Sequence, residues 1–370
     1  MEKLNINQKT IAWLNSANGI SNRKIEKLLE YFNVNPKELW DNFESEKHNL
    51  SFLKPEIIDY LTKSKNTFEE KLLIRLKNEE ANIITVYDNC YPEKLKQISY
   101  APYILYCKGN LREIDGISIA VVGSRKATAY GKWAAEKLTG EISELGVNII
   151  SGLAVGIDTI AHKTALKYKT KTVGVIGCGI DKVYPKTNEN LYKEIVQSGG
   201  AVITEYPFGM QPLPSNFHDR NRIISGLSDG VLVIEAQERS GTLITAGHAA
   251  DQGREIFAVP GNINSLFSKG TNALIKDGAK ITTSVDDIIE EIMELKNFRD
   301  MAINNQSTTN YDCLGYDEIK IISCLKSGIK DVNEICEETG IDTSAILSLA
   351  TLLEIKGFIK QLSGNKFVLS

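Results

Sequence analysis

Residues Phe217 to Ala250 read FHDRNRIISGLSDGVLVIEAQERSGTLITAGHAA. The run Gly230-Val231-Leu232-Val233-Ile234 is apolar without interruption and rich in β-branched residues, the pattern of a strand buried on both faces. It ends at Glu235-Ala236 and a polar loop, after which Ser240-Gly241-Thr242 opens an amphipathic helix through Ala250. A strand that runs through a small-residue turn into a helix N-terminus is an anion site in waiting, because free N–H groups and the positive end of the helix dipole point the same way. Arg220 and Arg222 lie just upstream, on the preceding helix. Two residues apart on a helix means nearly opposite faces, so one arginine is expected to face the ligand and the other to brace the sheet edge.

The same alternation extends in both directions. Strand Ile119–Val122 ends at Gly123-Ser124-Arg125, before a helix at Ala129–Leu145. Strand Val147–Ile150 precedes a helix at Ile157–Tyr168, strand Thr172–Ile176 precedes one at Asn188–Gln197, and strand Ala201–Thr204 ends at Glu205. Beyond the opening stretch come strand Ile256–Val259, a helix at Asn272–Lys276 and a short strand at Ala279–Thr282. Upstream, a helix at Phe68–Asn78 and strands at Ile83–Val86 and Pro102–Tyr106 lead in. The order predicts an α/β fold with a doubly wound, mainly parallel sheet and right-handed crossovers. Ligands bind such sheets at the carboxyl ends of the strands, where Gly and Ser recur here. Arg125 stands at that edge with planar, bidentate donors suited to phosphate. Lys186, after Tyr184-Pro185, is either an exposed loop lysine or a further phosphate ligand. Gly177-Cys178-Gly179 lacks the third glycine of a dinucleotide fingerprint, and no Walker A run exists, so neither a dinucleotide nor an ATP cofactor is expected.

The net charge of −4 does not advertise nucleic-acid binding, although a local basic groove survives an acidic average. Six cysteines without a CxxC pair argue against zinc and against a disulfide framework. No apolar leader follows Met1 and no run reaches membrane-spanning length, which reads as cytoplasmic. His162, His218 and His248 stand apart from any nucleophile pattern and read as caps or packing residues; Asp158 and Glu235 read as holders of backbone or arginine partners. Residues 1–65 read as a helical domain. Its Gly19-Ile20-Ser21-Asn22 turn is similar to those of helix-hairpin-helix and SAM-like modules, with a plain packing role preferred. Residues 66–296 form the α/β domain, with the boundary at the Lys/Asn-rich stretch Lys63–Asn66. Residues 297–310 read as a linker. Residues 311–370 give three helices and a hairpin around Gly364-Asn365, a winged-helix pattern. Its expected recognition helix, Ser344–Leu353, carries no basic residue, so a protein-contact or regulatory role is expected rather than groove reading.

Taken in order, the segments VVGSRKATAYG, SGLAVGIDTIAH, GVIGCGIDKVYPKTNENLY, EYPFG, RNRIISGLSDGVLVIEAQERSGTLITAGHA and VPGNI with GTNALIKDGA resemble the DNA processing protein A family (DprA, also called Smf) over roughly Ile83 to Lys280. The resemblance implies an extended Rossmann-like domain that binds single-stranded DNA, protects it and loads a RecA-type recombinase in natural transformation. It implies a homodimer and no catalysis, with a helical N-terminal and a winged-helix C-terminal domain. Carried over by motif, Gly123, Ser124 and Arg125 bind phosphate, while Lys186 and Arg220-Asn221-Arg222 line the groove; the turn Ser240-Gly241-Thr242 joins them as the anion site read from its own residues. His218 departs from the family's usual proline and puts the entry angle of the arginine helix in doubt. Phe208, Phe217 and Tyr184 lie in loops where bases could stack. The rival reading is a nucleotide-ribohydrolase-like enzyme with a PGGxGTxxE run. Here Thr245 stands where its glutamate would be, which disfavours hydrolysis.

Overall fold

The computed structural model describes residues 3–114, 116–297, 314–325, 328–356, 358–362 and 364–369. The chain divides into two compact units, residues 1–296 and 297–370. The linker expected at 297–310 falls, but for residue 297, outside the described residues.

The first unit begins with α1 (Ile6–Asn15), α2 (Asn22–Tyr31), α3 (Pro36–Glu46) and α4 (Pro55–Asn78). The first helix starts at Ile6. Asn5 caps it in a reciprocal capping box with Gln8, a device that ends an orphan N–H problem at both residues. Trp13 is fully buried, and its indole N–H donates to the Leu61 carbonyl at 3.2 Å. The fourth helix passes unbroken through Lys63–Asn66, where the sequence reading set a domain boundary. It buries Ile57, Leu61, Phe68, Leu72 and Leu76 along one stripe, so a continuous apolar face outweighs the polar residues between.

Nine strands follow: β1 (Ala81–Thr85), β2 (Ile104–Gly109), β3 (Ser118–Val122), β4 (Asn148–Ser151), β5 (Thr172–Val175), β6 (Ala201–Thr204), β7 (Gly230–Val233), β8 (Glu255–Ala258) and β9 (Lys280–Ile281). They form one sheet in the order β1-β2-β6-β5-β4-β3-β7-β8-β9. Pairing from β6 through β9 is parallel throughout, while β2 runs antiparallel to both β1 and β6. Between the strands lie α5 (Glu93–Lys96), α6 (Ala129–Glu144), α7 (Ile157–Lys167), α8 (Glu189–Gln197), α9 (Pro214–Gly226), α10 (Gly241–Asp251) and α11 (Lys269–Lys276), and α12 (Asp286–Glu291) follows β9.

Every residue of β3 to β7 is buried, as the unbroken apolar runs require. Alternate side chains feed two cores. On one face Ala120, Val122, Val231 and Val233 meet Ile223 and Ile224 of α9 and Ala246 and Ala249 of α10. On the other, Ile119, Val121 and Leu232 meet Leu138 of α6, Ala161 of α7 and Ile288 of α12. A third core joins the N-terminal helices to β1, β2 and α8. The sheet is therefore doubly wound, and its order turns back at β3, whose neighbours are β4 and β7.

In the second unit, helices Tyr316–Leu325, Val332–Thr339 and Thr343–Ile355 accompany a three-stranded sheet of Lys330–Asp331, Lys366–Leu369 and Ile359–Leu362. Asp331 caps the second helix in a capping box with Glu334. Gly364 and Asn365 both adopt positive φ, the left-handed pair that a tight hairpin turn demands. Ile321, Ile335, Ile346, Leu353, Ile359 and Phe367 form its own core. This is a winged helix.

Candidate functional site

A cleft of about 550 Å³ opens at the carboxyl ends of β3 and β7, the point where the strand order reverses. Ligands of open α/β sheets bind there because the loops on either side of the switch diverge and leave a crevice.

The first wall is the loop after β3. Gly123, Ser124, Arg125 and Lys126 line the cleft, and the Lys126 amide donates to the Ser124 hydroxyl at 3.1 Å. The loop is clamped against the start of α7: the Ile157 amide donates to the Ser124 carbonyl at 3.2 Å. Gly156 makes this approach possible, with φ of +87° and no space for a Cβ, which would lie 2.3 Å from the Ser124 oxygen. Arg125 is exposed and enters no ion pair among the described residues. Its guanidinium lies 5.6 Å from the Phe217 ring centre.

The second wall is α9, which starts at Pro214. Proline is well placed there, since it has no N–H to lose in a first turn. Arg220 is 3 % exposed and reaches beneath the cleft floor, where it donates through Nη1 to the Val175 carbonyl. Its Nε is buried without a partner. Burial pulls this guanidinium down to about 10 while the nearby Asp158 carboxylate pulls it up, so it is charged at neutral pH. Asp158 accepts the amides of Gly152 at 3.2 Å and Ala154 at 3.3 Å. Burial pushes it up to about 6 against the opposing pull of Arg220 and these amides. Phe217 sits between cations, 5.8 Å from the Arg220 guanidinium, and tilts against the exposed Tyr184 ring at 5.4 Å.

The third wall is the start of α10. Ser240, Gly241, Thr242 and Thr245 line the cleft. The Ser240 hydroxyl is buried and unpartnered rather than folded back as a cap. The Asn221 side-chain amide donates to the Gly241 carbonyl at 3.2 Å and ties the second wall to the third.

Of the residues read from sequence, the cleft brings together Gly123, Ser124, Arg125, Arg220, Asn221, Ser240, Gly241 and Thr242. It does not bring in Arg222 or Lys186. Arg222 points the other way on α9 and makes a bidentate pair with Glu205 at 2.6 Å for each contact. That glutamate also accepts from the Asn22 amide at 3.0 Å. Lys186 is exposed on a short 3-10 turn after the cis Tyr184–Pro185 bond and is not among the lining residues. Phe208 leaves the site too, packing edge-on against Tyr106 with ring centres 5.4 Å apart. Residues the sequence reading passed over also line the cleft, including Lys126, Pro212, Gln237 and Phe267. Adjacency to Arg125 was an available signal for Lys126; the others reach the cleft through folding of distant loops.

Glu235 is not among the residues that line the cleft. It accepts the Thr128 amide at 3.0 Å and the Thr128 hydroxyl at 2.5 Å, holding the start of α6. Among the described residues Asp158 is the one carboxylate lining the cleft, and Thr245 is buried in the wall. Among the described residues no group of three or more His, Cys, Asp and Glu could hold a metal, and no helix is long and apolar enough to cross a membrane.

The sequence matches the family model for DNA recombination-mediator protein A over residues 82–293 and that for the DprA winged helix domain over residues 309–365. It is 34% identical to Protein Smf of Escherichia coli, over 80% of this chain and 79% of that protein. It is 45% identical to DNA processing protein DprA of Streptococcus pneumoniae over 56% of this chain and 73% of that one. Among solved structures, DprA from Streptococcus pneumoniae superposes with a TM-score of 0.66 at 35% identity, covering 79% of this chain and 99% of that one. DNA processing protein A from Helicobacter pylori, whose structure addresses its single-stranded DNA binding mode, gives 0.50 at 29% identity, with 61% and 98% covered.

Proposed function

The chain belongs to the DprA/Smf family of DNA processing proteins, and on that premise we propose that its cleft holds the backbone of single-stranded DNA without cleaving it. The observation that carries this reading is Arg125: an exposed guanidinium with no ion pair among the described residues, on a clamped loop, beside an aromatic face and two helix N-termini. Such a trough meets a flexible polyanion at its phosphates and stacks its bases without reading sequence. Arg220 supplies charge from below, and Phe217 with Tyr184 offers the stacking surface.

In this proposal the protein is a recombination mediator. It shields an incoming strand during natural transformation and passes it to a RecA-type recombinase, working as a homodimer in the cytoplasm. The relative from Helicobacter pylori supports the single-strand part; family membership supports the rest. The test is fluorescence anisotropy with labelled oligo-dT across a salt series. Arg125→Ala is expected to weaken binding at every sequence alike and to lower the salt slope by roughly 0.7 for one lost phosphate contact. Unchanged affinity in that variant would overturn the reading.

A further inference from the structure

We propose that a second pocket, between α4 and the loop that follows β6, seats the DNA strand as it leaves the main cleft; this rests on the single-strand reading above and extends its track. The pocket, about 430 Å³, is lined by Tyr60, Phe68, Lys71, Arg75, Tyr106 and Phe208 among others, and among the described residues no carboxylate lines it. Arg75 lies 6.0 Å from the Phe208 ring centre, and Phe208 leans on Tyr106. Tyr60 is 42% exposed. Neither Lys71 nor Arg75 enters an ion pair among the described residues, whereas nearby Lys9, Lys63 and Lys108 all do. Aromatic faces flanked by free cations are what a nucleotide needs: a surface for the base and a counter-charge for the phosphate.

Continuity selects the occupant. The loop from Tyr206 to Leu213 is the wall between the two cavities. Pro207 and Phe208 line the second pocket, and Pro212 lines the first. Four residues of chain span at most about 14 Å, which a stacked strand covers in about four nucleotides at ~3.4 Å each. The wall is pinned in place. The Gly179 amide donates to the Met210 carbonyl at 3.0 Å, the Gly209 amide to Asp181 Oδ1 at 2.8 Å, and the Tyr206 hydroxyl to the Asn216 carbonyl at 3.2 Å. The ridge is thus a fixed edge for a strand to cross. An acidic, aliphatic peptide would satisfy the same two cations but would have no reason to adjoin the cleft.

The experiment uses the full chain and labelled oligo-dT of about four and about twelve nucleotides, lengths within the range single-strand sites occupy. The doubly substituted Lys71→Ala/Arg75→Ala protein changes two exposed side chains and leaves the core intact. It is expected to bind the longer strand several-fold more weakly, with a salt slope lower by about 1.4, and to bind the shorter one as the wild type does. Arg125→Ala should weaken both. If the wild type binds neither length, the cleft reading itself fails. If it binds both and the double variant loses nothing at either, this extension alone is overturned. A peptide that binds at Lys71 and Arg75 and is not displaced by the longer strand overturns it as well.

Discussion

Gly152 shows how little room the floor of the cleft leaves. A Cβ built there would lie 2.4 Å from Arg220 Nη1 and 2.7 Å from Asp158 Oδ2. Arg220 is held at the Val175 carbonyl and cannot swing into water without losing that bond. Gly152→Ala is therefore expected to cost about 1–3 kcal/mol of stability and to weaken oligo-dT binding, read from urea unfolding and anisotropy together. His162 gives a second residue-scale prediction. Its Nδ1 lies 2.7 Å from the Thr172 hydroxyl, which itself donates to the Ile149 carbonyl at 2.7 Å. The hydroxyl must then accept from Nδ1–H, and Nε2 is left buried without a partner. Burial first, and the Arg220 charge second, pull this imidazole down to about 3. The unfolded chain titrates near 6.5, so below that pH it takes up a proton the folded chain refuses. Stability contributed by neutral His162 is present above about 6.5 and is lost as the pH falls toward 3. At about 1.4 kcal/mol per pH unit, wild type should lose about 2 kcal/mol relative to His162→Gln between pH 7 and pH 5. Equal urea-midpoint shifts in the two proteins would contradict this.

At the scale of the element, α9 divides labour between its two faces. Helical geometry sends Arg220 toward the cleft and Arg222 toward the sheet edge. There Arg222 and Glu205 are 12% and 10% exposed, and from the N-terminal helices Asn22 donates to the Glu205 carboxylate and Asn15 to its backbone carbonyl. The helix that carries the floor arginine is in this way braced by the N-terminal bundle. Removing one member of a buried pair strands the other charge, at about 3–5 kcal/mol. Arg222→Ala should accordingly lower the urea midpoint strongly, yet leave the oligo-dT salt slope of the folded protein where it was. A reduced slope with unchanged stability would reverse that assignment and make Arg222 a phosphate ligand.

For the whole molecule, the two compact units each own a core, and every residue lining the cleft lies within residues 1–296. The third helix of the tail, Thr343–Ile355, carries no basic residue. A chain ending at Lys296 is expected to stay folded and to bind oligo-dT with the full-length salt slope, measured by thermal unfolding and anisotropy. A shallower slope would place phosphate contacts in the tail. The acidic net charge does not oppose this, because the cations that matter are few, local and largely unpaired.

Much of this was legible before any coordinates. Unbroken apolar runs placed each strand of the sheet to within a few residues, and small residues at their carboxyl ends marked the rim of the cleft. Both signals are local, since they depend on the period of the chain and on the space at one turn. The winged helix was legible for the same reason, through its three helices and the Gly364-Asn365 turn. The unbroken α4 escaped notice because a polar surface on a helix looks like a linker until its buried stripe has a partner. Which arginine lines the cleft, that Glu205 claims Arg222, and that Phe208 joins a different pocket were settled only by tertiary structure. Each of those outcomes turns on a neighbour supplied by a distant part of the chain, and a side chain's charge or ring acquires its role from what packing sets beside it.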